Sequence, residues 1–426
     1  MTTEIEQLKA ELLKAREAQR LAEERAELAE TRTAYEQKAR KAAEELTKNP
    51  KKALVLKEMN AMKKKKKEKG AFLYHKNQEE TAIKILKNIN DEDMVFQMVL
   101  APCQSGKTGC MLAVIDYILR SNTKIDVNNI FVITGLSSND WCEQTKSRLP
   151  ASLRQNVIHR GQLMRNISLF TNMKNAVIMI DECQIASRED MNIDKVLEQV
   201  GLKDLEYLKD NNVNIVEFSA TPNSTLNDIE LWEKCSVKHS MKPGDGYKGH
   251  KNLIEDYRIY EAEDLFINYD PEAGLSKEDE TAREKEIAPA LESIHELRLF
   301  IEKKYSNPKF HIIRTPPKDR ALTVIGRFKQ EFGKNCKYTS CYSNTLNDLT
   351  KELKKLPLCH TFLFIKESAR CAITFSQKRR IGVLYDRKSK SIKDDVMVQG
   401  LAGRACGYDV SDEMVVFTHI PSIEHY

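Results

Sequence analysis

The stretch Met98-Val-Leu-Ala-Pro-Cys-Gln-Ser-Gly-Lys-Thr-Gly-Cys110 restricts the fold of this chain more than any other. An apolar run from Val95 to Leu100 leads into it. From Lys107 onward, apolar residues recur at Met111, Val114, Ile115 and Ile118, so the spacing predicts a strand, a short loop and an amphipathic helix. Gly106 can take backbone angles closed to other residues. The N–H groups of such a loop converge on an anion, and the helix that follows adds the positive end of its dipole. This is the context of a phosphate cradle, in which Lys107 reaches the β- and γ-phosphates and the Thr108 hydroxyl holds Mg²⁺. Ala101, Gln104, Ser105 and Gly106 are the loop positions expected around the phosphates, with Ala101 standing where the strict pattern has its first Gly.

At 426 residues the chain has room for two medium domains and an extension. No apolar run reaches the ~18 residues that a membrane span needs, and the first residues are charged. Neither a span nor a secretory signal is expected, and the expected compartment is intracellular. The ten Cys include no Cys-x-x-Cys pair, which fits reduced thiols in a cytosol-like compartment. Cys336 and Cys341 lie close together without a second pair or a suitably spaced His, so they read as strand cysteines rather than zinc ligands. The net charge of +5 is unevenly placed. Residues 1–70 carry 19 Lys/Arg against 13 Asp/Glu, and the remainder carries 49 against 50. A nucleic-acid track beyond the N-terminal part would therefore be a local basic patch.

From Thr3 to about Lys48 there is no Gly or Pro, and strong helix formers dominate, which predicts one long helix. A heptad through Ile5, Leu8 and Leu12 fades into Ala, so residues 3–48 read as a weak self-associating coiled coil or a lone charged helix. Asn49-Pro50 ends it. A second helical segment, Ala53 to Met62, runs into five lysines, Lys63 to Lys67. These suit nucleic-acid phosphates or a solvated linker equally.

Phe72 to Leu86 opens the globular part with Gln78 at a helix start, where its amide donor and acceptor could read an adenine edge. Ile130 to Thr134 predicts a buried strand that ends in Gly135-Leu-Ser-Ser138, whose hydroxyls before a helix suit a nucleic-acid phosphate. Ala176 to Ile180 predicts another, ending in Asp181-Glu-Cys-Gln184. An Asp at such a strand end can reach Mg²⁺, and the adjacent Glu182 can orient and deprotonate the attacking water. Ile215 to Phe218 ends in Ser219-Ala-Thr221, hydroxyls able to bond the carboxylates.

The set Gln78, Ala101…Gly106-Lys-Thr108, Gly135-Leu-Ser-Ser, Asp181-Glu-Cys-Gln184 and Ser219-Ala-Thr221 resembles, in order and placement, the first motor domain of superfamily 2 helicases, the DEAD-like group. Ala at the first loop position is common in that group. The resemblance covers roughly residues 70–426. The turn Pro243…Gly246-Tyr-Lys-Gly249, and Gly403-Arg-Ala-Cys-Gly-Tyr408 at motif six, are similar to the phage and large-DNA-virus branch, including Z1-like proteins. For a viral chain the compartment would be host cytoplasm or nucleus. Past Asn268 to Glu286, read as an acidic exposed loop, and a helix from Ala290 to Tyr305, strands and helices alternate from Phe310 to Thr418. That alternation predicts a second parallel sheet. The chain ends soon afterwards, so no accessory C-terminal domain is expected.

The fold class expected is α/β: two tandem RecA-like P-loop domains, parallel sheets covered by helices, behind an α-helical N-terminal extension. The expected boundaries are 1–69 for the basic, helical extension, 70–240 for the ATP-binding domain, 241–305 for an irregular connection with an acidic loop, and 306–426 for the C-terminal helicase domain. The resemblance implies an ATP hydrolase using Mg²⁺ and acting on DNA or RNA, with no membrane role. Its catalytic residues would be Lys107, Asp181, Glu182, Gln184 and Arg404. The usual second arginine of motif six is replaced by Gly407. An extra residue after Gln399 would rotate a continuous helix, Asp394 to Cys406, so as to aim Arg404 as an arginine finger, with Arg370 in reserve. The alternatives are an Arg404 paired with a carboxylate of its own domain, an ATPase that remodels nucleic acid without separating strands, and a non-hydrolysing coiled-coil interaction protein.

Overall fold

A computed structural model describes residues 49–91, 93–135, 139–182, 192–221, 233–265, 277–316, 320–341, 347–366, 374–375, 377–387 and 394–426, with scattered positions between 15 and 33. Those scattered positions are helical and exposed. The rest of residues 3–48, and with it the coiled-coil reading, lies outside the described residues. The chain divides into two compact units, one of Met1–Leu100, Gly106–Ser137 and Cys142–Met241, the other of Ala101–Ser105, Ser138–Trp141 and Lys242–Tyr426.

The first unit is a parallel sheet in the order β3-β2-β4-β5-β1-β6. Its strands are β1 (Phe96–Leu100), β2 (Ile130–Thr134), β3 (Val157–His159), β4 (Ala176–Asp181), β5 (Val213–Ser219) and β6 (Ser236–Ser240). Ile-Phe-Val-Ile-Thr and Ala-Val-Ile-Met-Ile-Asp are buried at every position, as strands covered on both faces must be. Helices α1 (Pro50–Lys67), α2 (Lys76–Ile89), α3 (Lys107–Arg120), α4 (Asn139–Arg148), α5 (Asn192–Gln199) and α6 (Leu205–Asp210) connect or cover these strands. Phe131, Ile133, Phe170, Ile178, Ile180 and Ile215 lie in its core.

Helix α1 packs on this unit. Asn49 caps it, accepting the Lys52 N–H at 3.0 Å, and Pro50 sits where a missing N–H costs nothing. Val55, Leu56 and Met59 are buried. Beyond them, Lys63 Nζ lies 2.7 Å from Asp116 of α3, and Glu58 accepts from the Ser152 N–H at 3.0 Å and its hydroxyl at 2.7 Å. Lys63 thus has a carboxylate partner, whereas Lys64 to Lys67 are exposed.

The second unit carries a parallel sheet in the order β7-β12-β11-β8-β10-β9, from β7 (Ile259–Glu261), β8 (Phe310–Arg314), β9 (Lys337–Cys341), β10 (Thr361–Ile365), β11 (Ile381–Tyr385) and β12 (Val415–Thr418). Its helices are α7 (His250–Glu255), α8 (Lys277–Lys304), α9 (Arg320–Phe332), α10 (Asn347–Lys354), α11 (Asp394–Gln399), α12 (Leu401–Ala405) and α13 (Ile420–Glu424). Two parallel-sheet domains of the expected class are therefore present. Three details differ from the sequence reading. The segment read as irregular supplies edge strand β7. Helix α8 begins at Lys277, inside the stretch read as a loop, because Glu, Lys, Ala and Arg are good helix formers whatever their charge. The helix expected from Asp394 to Cys406 breaks at Gly400, whose φ −69° and ψ −134° are not helical. Among the described residues, no helix is long and apolar enough to cross a membrane.

Candidate nucleotide-binding site

In the first sheet, the candidate residues stand at the carboxyl ends of strands, the edge where open parallel sheets bind ligands. Leu100 of β1 is level with Ser219 of β5, and Thr134 of β2 with Asp181 of β4. After Leu100 the chain turns, with the Ser105 N–H donating to Pro102 O at 3.2 Å. Gln104 has φ 57° and Gly106 φ 103°, so the chain enters α3 through the left-handed region, where only Gly is unstrained. Ala101 and Ser105 are buried, and Ser105 Oγ has no hydrogen-bond partner among the described residues.

Gln78 lies beneath this loop. Its Oε1 accepts the His75 N–H at 2.8 Å and its Nε2 donates to Gly106 O at 3.1 Å. A Cβ on Gly106 would fall 2.1 Å from Nε2, and one on Gly109 2.3 Å from Oε1. The amide thus ties the loop to the start of α2, a task that the adenine-edge reading did not include.

Strand β5 lies between β1 and β4, so the loop and the acidic pair stand two strand spacings apart, about 10 Å. The long Lys107 side chain bridges that gap, placing Nζ 2.9 Å from Glu182 Oε1, with both residues buried. The backbone fixes the carboxylates. Glu182 has φ 55° and donates its N–H to Phe218 O at 2.8 Å, while the Gly135 N–H donates to Asp181 O at 2.9 Å. A Cβ on Gly135 would lie 2.4 Å from Glu182 O, so the glycine is there to let β2 approach the acidic turn. Ser219 and Thr221 close a tight turn on each other: Ser219 Oγ donates to Thr221 O at 2.7 Å and accepts its N–H at 3.0 Å.

Asp181 is 3% exposed, and its Oδ1 has no hydrogen-bond partner among the described residues. Burial and then the Glu182 charge push its carboxyl up from the usual range, against the pull of Lys107 and Arg148. Arg148, the last residue of α4, donates from Nη1 to Thr108 Oγ1 at 3.2 Å. Sequence reading missed it, because nothing local separates Arg148 from Arg154 or Arg160. The close approaches at Gly135 and Gly109 likewise leave no signal in the local sequence.

Lys107, Thr108, Asp181 and Glu182 thus come together in the first unit. Gln184, Arg370, Ser137 and Ser138 lie outside the described residues. Arg404 belongs to the second unit, where it is 2% exposed and its Nη2 donates to Gln399 O at 3.1 Å. The break at Gly400 removes the continuous helix on which a rotation toward a nucleotide was expected. Gly407 has φ 128° and forms an antiparallel bridge with Lys248, its N–H reaching Lys248 O at 2.9 Å. A Cβ there would meet Lys378 Nζ at 3.1 Å. Backbone geometry therefore makes an arginine at that position strained.

No family model matches the chain, and no curated protein matches it. Solved structures do. The DEAD-box helicase Mss116 bound to ssRNA and UDP-BeF is 14% identical over 81% of this chain and 73% of that one, with a TM-score of 0.49. S. cerevisiae Dbp5 bound to RNA and ADP BeF3 is 13% identical over 82% and 78%, with a TM-score of 0.38. The DUF1998 helicase MrfA bound to DNA and AMPPNP is 13% identical over 82% and 50%, with a TM-score of 0.44.

Proposed function

We propose that this chain is an ATP hydrolase of the superfamily 2 helicase type, coupling Mg-ATP hydrolysis to movement on, or unwinding of, DNA or RNA. The observation that carries the reading is the buried contact of Lys107 with Glu182 at the mouth of a loop that enters its helix through a left-handed Gly106. A lysine able to bind phosphate and a glutamate able to activate water hold each other until a nucleotide arrives. The Gly403-Arg-Ala-Cys-Gly-Tyr408 ending supports placing the chain in the phage and large-DNA-virus branch.

The residues fit a magnesium ion. Asp181 keeps a buried carboxylate oxygen without a hydrogen-bond partner among the described residues, and Thr108 offers a hydroxyl. These two would hold the ion, which when bound supplies charge neutralisation at the β- and γ-phosphates. The loop N–H groups and the start of α3 bind the phosphate oxygens. Lys107 leaves Glu182 for the phosphates, and Glu182 is then free to take a proton from water. Arg404 of the second unit is the candidate for the transition-state cation.

The test compares ATP turnover of wild type, Lys107→Ala and Glu182→Gln, each alone and with single- and double-stranded DNA and RNA. Glu182→Gln should bind ATP yet turn over at least about 100-fold more slowly, and Lys107→Ala should lose nucleotide affinity. Wild-type turnover in Glu182→Gln would remove Glu182 from the reaction. Turnover indifferent to every nucleic acid would remove the motor reading.

A further inference from the structure

Two cations border the site, and they make different contacts. Lys107 contacts Glu182 at 2.9 Å. Arg148 contacts the Thr108 hydroxyl at 3.2 Å and acts electrostatically on Asp181. Thr108 and Asp181 are the residues that would hold the metal, and Arg148 contacts the first of them. Its position is built from α4. Trp141, Cys142 and Thr145 bury one face of that helix, Leu149 is buried just beyond it, and Pro150 forbids its continuation. A last-turn cation is ordinarily satisfied by helix-end carbonyls and solvent, so its reach to a hydroxyl on the first turn of α3 calls for another account.

We infer that Arg148 is a positioning residue that holds the metal corner of the nucleotide site before loading, bonding Thr108 and balancing Asp181, and that it must withdraw for a divalent cation to bind. The inference rests on the nucleotide-site reading above. Repulsion between a guanidinium and a divalent cation sharing the same ligands is strong where burial limits screening. The hydroxyl oxygen that accepts from Arg148 is also the atom offered to the metal. Arg148 therefore raises the Mg²⁺ concentration that loading requires, and it links loading to a displacement at the carboxyl end of α4.

The experiment titrates Mg²⁺ against binding of a fluorescent ADP analogue to the full chain, read by anisotropy, with a parallel measurement in EDTA. Arg148→Ala should lower the half-saturating Mg²⁺ concentration at least about threefold, and Arg148→Lys, which keeps the charge, should stay within about twofold of wild type. Binding in EDTA should not weaken in either. Arg148→Met, uncharged and of similar length, replaces the alanine variant if that variant melts below the assay temperature. A midpoint unmoved or raised in the uncharged variant overturns the inference. Weaker binding in EDTA also overturns it and makes Arg148 a phosphate ligand. A wild-type chain that binds no nucleotide sinks the nucleotide-site reading itself, whereas binding with an unmoved midpoint sinks only the role of Arg148.

Discussion

Asp181 is a buried carboxylate whose surroundings only partly satisfy it. With Oδ1 lacking a partner among the described residues and its carboxyl pushed up by burial and by Glu182, it burdens the ligand-free protein. An amide of the same shape carries no charge to desolvate. Asp181→Asn should therefore stabilise the ligand-free chain by about 1–2 kcal/mol, a rise of roughly 2–6 °C in the thermal midpoint, while abolishing Mg²⁺-dependent ATP turnover. A midpoint that falls would show that the carboxylate is satisfied and would weaken the metal assignment. At this scale the convergence of Lys107, Thr108, Asp181 and Glu182 was legible, because each stands at a loop or strand end on the same edge of a parallel sheet. Arg148 was not legible. It acts on Thr108 from forty positions away, and no periodicity encodes where the last residue of a helix will point.

At the scale of elements, the docking of α1 turns on Asp116, which is 1% exposed on α3. Lys63 reaches it at 2.7 Å, Tyr74 Oη donates to it at 2.8 Å, and Arg120 Nε donates to it at 3.0 and 3.1 Å. Burial alone would raise its carboxyl, but Lys63 and Arg120 prevail and hold it below the usual range. Lys63→Ala leaves Asp116 with Arg120 and Tyr74 but one cation short, at a cost of about 1–3 kcal/mol. The folded pKa is depressed, so the contribution is complete above the unfolded value of about 3.9 and is lost as pH falls through the lower folded value. Urea denaturation of wild type and Asp116→Asn should then show a gap at pH 7 that closes under acid. A gap unchanged on acidification would mean that the carboxylate titrates normally. Asn49-Pro50 reads in the sequence as the stop of the preceding helix, with the next one starting at Ala53, whereas the structure makes Asn49 the cap and Pro50 the first residue of α1. The docking of α1 was not legible, since Lys63 and Asp116 are 53 positions apart and a lysine run looks the same solvated or paired. The break at Gly400 was missed for a similar reason: helical periodicity continues across it.

For the whole molecule, these contacts decide where the N-terminal part can be cut and what its lysines do. Removing residues 1–48 leaves the Asn49 cap, Pro50 and all of α1, so the thermal midpoint should stay within about 2 °C of wild type. Removing residues 1–69 takes away Val55, Leu56 and Met59, each worth about 1.5–3 kcal/mol when buried, and strips Lys63 from Asp116. That truncation should melt several degrees lower or aggregate, so any loss of nucleic-acid binding it shows says nothing about lysine contacts. Replacing Lys64 to Lys67 with Gln is the clean test. These four side chains are exposed on the last turn, and Gln keeps the helix at the expense of a small interaction with its dipole. Each B-DNA phosphate that they neutralise adds about 0.9 to the slope of log affinity against log salt. If all four make such contacts, the quadruple variant should bind duplex DNA with a slope shallower by about 3–4, while its thermal midpoint and its ATP turnover without nucleic acid match wild type. An unchanged slope in a protein that melts normally would assign the run to solvation of the end of α1, and the nucleic-acid track would then have to be sought in the globular units.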